Sequence, residues 1–306
     1  MTNKQIHRYD SISKFHKLCG LPPPEHPLIS LVDYGKVEYQ IVNQEISWIQ
    51  NFYVIALKRN MKGKVRYGQQ KYDFDEGLMS FGAPGQLVSV IMENQTDPKP
   101  SGWLLLVHPD FLWNTPLAKN IKDYDFFGYS VNEALFLSDK EENNIIGILQ
   151  NIKNEYQSTI DKFSKKIIIA QLEVLLTYTE RFYQRQFITR EKTNHQILNR
   201  LEETLTQYFN RDDLIDKGLP TVQDIAASLN LSPNYLSGLL KTLTGQSTQQ
   251  HIQDKVVEKA KEKLSTTDLS ISEIAFELGF EHSQSFSRLF KSKTNFSPLE
   301  FRRSFN

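Results

Sequence analysis

A single cysteine, Cys19, stands in 306 residues, which rules out a disulfide framework or a thiolate metal cage built from this chain alone. Histidine is also scarce. The first half offers His7, His16, His26 and His108 with no His-x-His pair, so a catalytic cage of His and carboxylate ligands is not expected. No hydrophobic run approaches the length of a bilayer, and Met1 to Gly20, which carries Lys4, Arg8, Lys14 and Lys17, lacks the apolar segment of a secretion signal. A cytoplasmic location without a membrane partner is the expectation. There is no Gly-rich phosphate loop and no Gly-x-Ser-x-Gly nucleophile turn. Asp73 and Asp75 form a carboxylate pair, but in a turn-rich loop that faces solvent more readily than substrate. No enzymatic activity, cofactor or metal is expected. Charge of one sign is missing too: 36 Lys and Arg balance 36 Asp and Glu, and residues 191–306 hold 14 against 15. With no global field to draw a polyanion, any contact with nucleic acid has to be local.

What is present divides the chain. From Pro27 to about Val107 the text is strand-like, with Val37–Val42, Phe52–Leu57, Leu87–Ile91 and Trp103–Val107 rich in Val, Ile, Tyr, Phe and Trp. Turn signals separate them at Met61–Lys64, Gly82–Gly85 and Asp97–Pro100. Short strands at this spacing imply a small barrel or sandwich. Pro22-Pro23-Pro24 reads as an extended strap leading into it. After Leu137 the period becomes helical: Ser138-Asp-Lys-Glu141 is a capping box ahead of Ile145, Ile146, Leu149, Ile152 and Tyr156. A second helix, Ser164 to about Gln186, is apolar over more of its circumference than one buried face needs, which suits a pair of helices that cover the barrel and also seal a homodimer. Phe187 to Asn194 is short and polar. The expected organisation is residues 1–186 for the first domain, 187–196 for a linker and 197–306 for the second domain.

The second domain contains a repeat. Asp224-Ile-Ala-Ala-Ser-Leu-Asn-Leu231, Tyr235-Leu-Ser-Gly-Leu-Leu-Lys241 and Thr244-Gly-Gln-Ser247 align with Glu273-Ile-Ala-Phe-Glu-Leu-Gly-Phe280, Ser285-Phe-Ser-Arg-Leu-Phe-Lys291 and Thr294-Asn-Phe-Ser297. Each copy reads as helix, tight turn, helix, with Thr221-x-x-Asp224 and Ser270-x-x-Glu273 capping the first helices. Asn230 and Gly279 hold the turn position, where these residue types best tolerate left-handed backbone. Leu236, Leu239 and Leu240, and in the other copy Phe286, Leu289 and Phe290, point inward. The outer faces then carry Asn234, Ser237, Gly238 and Lys241 in one copy, and Ser283, Gln284, Ser287, Arg288 and Lys291 in the other. Asn, Gln, Ser and Arg match base edges, and Lys matches phosphate charge. Between the copies Ser247-x-x-Gln250 caps a helix to about Leu264, roughly 27 Å at ~1.5 Å per residue, of the order needed to set two readers one DNA turn apart. A lone helix-turn-helix pattern is weak. Two copies joined by one rod are a stronger signal, and a stacked helical solenoid would need more repeats.

At these residues the chain resembles the AraC family of transcription regulators, over about 197–303. Ser270–Phe280, Phe286-Ser-Arg-Leu-Phe-Lys291 and Ser297-Pro-Leu-Glu-Phe-Arg302 carry the resemblance, with Tyr235–Lys241, Thr244-Gly245 and Ala260…Leu264 adding the first half in the family's order. It implies an all-α module whose two recognition helices enter successive major-groove segments, with DNA-binding residues Asn234, Tyr235, Ser237, Lys241, Ser283, Gln284, Ser287, Arg288 and Lys291. Three positions depart from the family's pattern: Gly238 and Lys255 stand where Arg is usual, and Asn295 where Gly is usual. Gly238 removes a bidentate contact from the first reader, so the second is expected to dominate specificity. The first half resembles the family's cupin-like sensor barrel followed by dimerising helices. The fold class expected is therefore α+β, a cupin-like barrel with a helical dimerisation segment joined to an all-α domain with two helix-turn-helix units. The implied partners are promoter DNA, RNA polymerase, a second copy of the chain and a small-molecule effector. Tyr53 and Trp103 are aromatic candidates for a cavity wall, with packed core the competing role; no effector-binding residue is assigned. A cupin-type enzyme fused to the module, and an adaptor that keeps the helix pair without the DNA grip, remain as alternatives.

Overall fold

The computed structural model describes residues 6–37, 45–59, 77–91, 101–129, 133–158, 161–189, 191–211 and 214–304. Met61–Lys64, Asp97–Pro100, Asp73, Asp75 and all but the first residue of the Val37–Val42 strand lie outside them. Two compact units are present, Met1–Gln186 and Phe187–Asn306.

In the first unit β1 (Ile6–Tyr9) leads into α1 (Ile12–Leu18), and the strands β2 (Ile29–Asp33), β3 (Glu45–Gln50), β4 (Tyr53–Arg59), β5 (Leu78–Gly82), β6 (Leu87–Ile91) and β7 (Ser101–Val107) follow. Short helices α2 (Pro109–Leu112) and α3 (Leu117–Asn120) precede β8 (Leu135–Phe136), and α4 (Asp139–Gln157) and α5 (Ser164–Thr189) close the run. Of the barrel and the sandwich that the strand spacing left open, no closed barrel is found among the described residues: the strands make two sheets, one ordered β1-β3-β6 and the other β2-β7-β4-β5-β8. β1 pairs with β3 in parallel and every other ladder is antiparallel.

Period-two alternation divides the five-stranded sheet. Val32, Ala56, Leu104 and Leu106 share a core with Tyr9, Phe15, Phe52 and Trp48, so the space between the sheets is filled by aromatic rings. Leu31, Ile55, Leu57 and Leu105 are buried on the other face. There Tyr156 of α4 accepts a hydrogen bond from the Leu31 N–H at 3.0 Å, satisfying an edge-strand donor of β2. The Ser138–Glu141 capping box forms as expected. Glu141 is also gripped by Arg185 of α5, at 2.8 Å from Nη2 and 3.1 Å from Nε. Gly102 pairs with Lys58 at φ +127, and a Cβ there would meet the Leu57 carbonyl at 2.0 Å, so β7 can cross β4 here only without a side chain.

The second unit is helical: α6 (Glu191–Phe209), α7 (Leu214–Lys217), α8 (Val222–Ser228), α9 (Pro233–Thr244), α10 (Thr248–Thr266), α11 (Ile271–Glu277), α12 (Ser283–Thr294) and α13 (Pro298–Arg303). The expected linker 187–196 is largely helix, divided between α5 and α6. Its polar composition hid two buried side chains, Phe187 and Asn194, and the Asn194 amide donates to the Phe187 carbonyl. One core runs through the unit, from Leu201 and Leu205 of α6 through Ile225, Ala226, Leu236 and Leu240 to Ile274, Ala275, Phe286 and Phe290. α10 packs on α6, α9, α11, α12 and α13 and is the element common to both repeats.

Candidate nucleic-acid interface

Both copies of the repeat close as the residue types require. Asn230 sits at φ 58 and Gly279 at φ 84, the left-handed turns between first and second helices. Gly245 and Asn295 end α9 and α12 in the same conformation, at φ 77 and φ 66, and Asn is the residue type that most readily takes glycine's place there. Capping boxes start α8, α10, α11 and α13. Asp224, Glu273 and Glu300 each accept hydrogen bonds from their N-cap partners, Thr221, Ser270 and Ser297, and are held below the ordinary carboxylate range; Lys291 and Arg303 contribute further at Glu300.

A depressed folded-state pKa contributes stability that is present above the unfolded pKa and lost as pH falls through the folded one. The second unit is therefore expected to lose melting temperature below the carboxylate range. A Thr221→Ala, Ser270→Ala, Ser297→Ala triple variant should be less stable at neutral pH, with a gap that narrows in acid without closing, because the hydroxyls also accept from the Asp224, Glu273 and Glu300 N–H groups at every pH. Circular-dichroism melts of both proteins at neutral and acidic pH check this; a constant gap would show that the caps do not carry the dependence.

The structure distributes the sequence-derived candidates unevenly. Asn234, Lys241, Gln284, Arg288 and Lys291 are exposed, and among the described residues their side chains make no hydrogen bond or ion pair. Ser283 and Ser287 are half-buried. Ser237 is half-buried and its hydroxyl meets Thr248 Oγ1 at 2.9 Å, which ties α9 to α10. Tyr235 is 8% exposed, with its ring 5.1 Å from that of Phe187 in edge-on contact. The DNA-binding role that the resemblance implies for Tyr235 thus falls on a buried side chain packed against Phe187 in the first turn of α9. Ser285, which the repeat alignment carries without a role, is exposed and lies at i,i+3 spacing from Arg288, a helical neighbour that sequence periodicity could have supplied.

Around these candidates the remaining charge is largely paired off. On α10, Lys255 meets Glu258 at 3.0 Å, Lys259 meets Glu262 at 3.0 Å and Lys263 meets Glu277 of α11 at 2.6 Å. Asp254 braces the two copies, accepting from Gln246 at 2.9 Å and pairing with Lys293 of α12 at 2.8 Å. Zero net charge thus coexists with Lys241, Arg288 and Lys291 left over on the second helices. His282 stands at the N-cap of α12 without a side-chain cap bond, unlike the caps of α8 to α11 and α13.

Among the described residues no three His, Cys, Asp or Glu gather as a metal site, and no helix is long and apolar enough to cross a membrane. His108 caps α2, accepting from the Asp110 N–H at 3.3 Å. His26 packs edge-on against Phe111, and burial lowers its pKa. Tyr53 is packed against Phe127 at 5.0 Å, whereas Trp103 lines a cavity.

A helix-turn-helix domain family matches residues 225–304. The raffinose operon transcriptional regulatory protein of Pediococcus pentosaceus is 38% identical over 84 residues, 28% of this chain and 30% of that protein. The arabinose operon regulatory protein of Escherichia coli K12 is 33% identical over 141 residues, 46% of this chain and 45% of that one. The chain thus spans less than half the length of these curated relatives. Among solved structures, the C-terminal domain of AraT, a response regulator from Geobacillus stearothermophilus, is 33% identical, with a TM-score of 0.31 over 35% of this chain and 84% of that one. The second unit of this chain carries a helix-turn-helix domain, similar in sequence to segments of these operon regulatory proteins.

Proposed function

We propose that the whole chain is a sequence-specific transcription regulator, with α9 and α12 as its two DNA readers and α12 dominant. The observation that carries this is the set Gln284, Arg288 and Lys291: exposed, without a hydrogen bond or ion pair among the described residues, and backed by the fully buried Phe286 and Phe290. Gln and Arg have the bidentate geometry for adenine and guanine edges, and Lys241 and Lys291 are suited to phosphates. The uncapped first turn of α12 leaves backbone N–H donors for a phosphate as well. α9 is the weaker reader because Ser237 is already bonded and Gly238 has no side chain.

The first unit is a cupin-like sensor and dimerisation domain in this proposal, supported by the antiparallel ladders among β2 to β8 and by Ile167 and Val174, which α5 leaves 44% and 43% exposed. A homodimer, a small-molecule effector and RNA polymerase are its partners, and the cytoplasm is its compartment. Effector binding would act through different affinities for two states of the regulator.

Genomic fragments retained by the purified protein, once sequenced, supply the cognate duplex for the test. Arg288→Ala is expected to weaken that duplex by about 1–3 kcal/mol and relax its base preference, with an unchanged far-ultraviolet spectrum. Lys291→Ala is expected to weaken all duplexes alike and reduce the salt slope by about 1. If the Arg288 variant shifts the cognate fragment as well as the parent does, α12 is not the reader. An adaptor would retain no duplex at all.

A further inference from the structure

The first unit holds a cavity of about 280 Å³ between the proline strap, the edge strand β2 and the last turns of α4. It adjoins the core between the two sheets, with which it shares Leu21 and Val32, while Tyr9, Phe15, Phe52 and Trp48 of that core are not part of its lining. Its volume is at the small end of ligand-site sizes. Leu21, the three prolines, Val32 and Trp103 make an apolar wall, and Lys36 and Lys153 stand at it with Glu25 and Asp33.

Most polar groups in this lining are already engaged. His16 is 6% exposed; its Nδ1 faces the Pro22 carbonyl, which can only accept, so that nitrogen carries the proton and Nε2 is left to accept from the Ser30 hydroxyl at 3.0 Å. The Tyr156 hydroxyl accepts from Leu31. Glu25 accepts from the Gln157 amide at 2.8 Å, and Asp33 accepts from the Gly35 N–H at 3.0 Å. Lys36 and Lys153 have no hydrogen bond or ion pair among the described residues. The Lys153 ammonium lies 5.7 Å from the centroid of the Trp103 ring. The two carboxylates balance the two lysines in formal charge, but the unused donors are the ammonium groups.

We propose that this cavity takes a small organic carboxylate, with its acid group on Lys153 and Lys36 and its flat or apolar body between Trp103 and the proline wall. A carboxylate gives Lys153 the partner it lacks while leaving its stacking on the indole in place. The strap supplies a wall that costs little to order, because proline has few backbone conformations to lose. The site deepens the reading of the first unit as a sensor, and its test needs no DNA, so it stands or falls apart from the DNA contacts.

The test is titration calorimetry of the full chain with phenylacetate, its neutral isostere phenylacetamide and the cation benzylammonium. Phenylacetate is expected to bind at least about tenfold more tightly than either of the others. Lys153→Gln, on a solvated turn of α4, is expected to lose about tenfold in phenylacetate affinity with an unchanged circular-dichroism spectrum, and Lys36→Gln less. Equal binding of acid and amide, preference for the cation, no heat with millimolar phenylacetate, or parental affinity in Lys153→Gln would each overturn the assignment.

Discussion

Replacing Ile274 by Asp is expected to unfold the second unit and abolish duplex binding, whereas Phe276→Asp on the same helix leaves both nearly as they were. Ile274 is 0% exposed and shares its core with Ala275, Leu278, Phe286 and Phe290; Phe276 is 47% exposed. Truncating a buried Ile costs about 2–5 kcal/mol through lost transfer energy and cavity. An unpaired carboxylate in the same place adds a desolvation penalty of a further few kcal/mol. Together these approach the whole stability of an ordinary domain, about 5–15 kcal/mol. Limited proteolysis of the full chain, with the fragments mapped by mass, localises the effect: new cleavage sites should appear within 187–306 for Ile274→Asp alone. A protease-resistant, DNA-binding Ile274→Asp protein would mean that α11 does not seat its repeat.

Legibility in the sequence followed the range of the interactions. The capping boxes and left-handed turns depend on contacts within a few residues, so Ser138, Thr221, Ser247, Ser270, Asn230 and Gly279 disclosed their roles directly. The exposed candidates Asn234, Lys241, Gln284, Arg288 and Lys291 followed from helical periodicity alone. Tyr235 and Ser237 could not be placed that way. Whether a residue at the edge of a stripe faces water depends on what another element brings to it, here Phe187 for one and Thr248 for the other.

Sheet architecture was the least legible part for the same reason. β2 (Ile29–Asp33), β3 (Glu45–Gln50) and β5 (Leu78–Gly82) are short and mixed in composition, and they become strands through partners far along the chain. Strand spacing left barrel and sandwich open, because it carries no information on whether the edges meet. The polar stretch after Phe187 read as a linker because composition says little about helix formation when Phe187 and Asn194 find burial elsewhere.

Gly279→Ala is expected to cost about 3 kcal/mol and to loosen α12, the helix on which specificity is argued to rest. Two separate effects add at this residue. Its φ of 84 costs an L-residue about 1–2 kcal/mol. A Cβ would in addition stand 2.8 Å from the Gly218 carbonyl carbon and 3.0 Å from the Leu219 nitrogen, both backbone atoms that no rotamer change can move aside. Overpacking of that kind costs about 1–3 kcal/mol, and the narrower unfolded ensemble of Ala offsets less than 1 kcal/mol. The obstructing segment is itself held, since the Tyr208 hydroxyl donates to the Gly218 carbonyl at 3.2 Å. Asn230→Ala, at the equivalent turn of the first copy with a φ of 58, has the conformational cost alone and is expected to lose about 1 kcal/mol. Hydrogen exchange read by mass spectrometry separates the two. Peptides from α11 and α12 should exchange faster in the Gly279 variant, with cognate affinity falling in parallel, while the Asn230 variant stays close to the parent. Matching exchange in the two variants would mean that the packing against Gly218 does not fix the second reader.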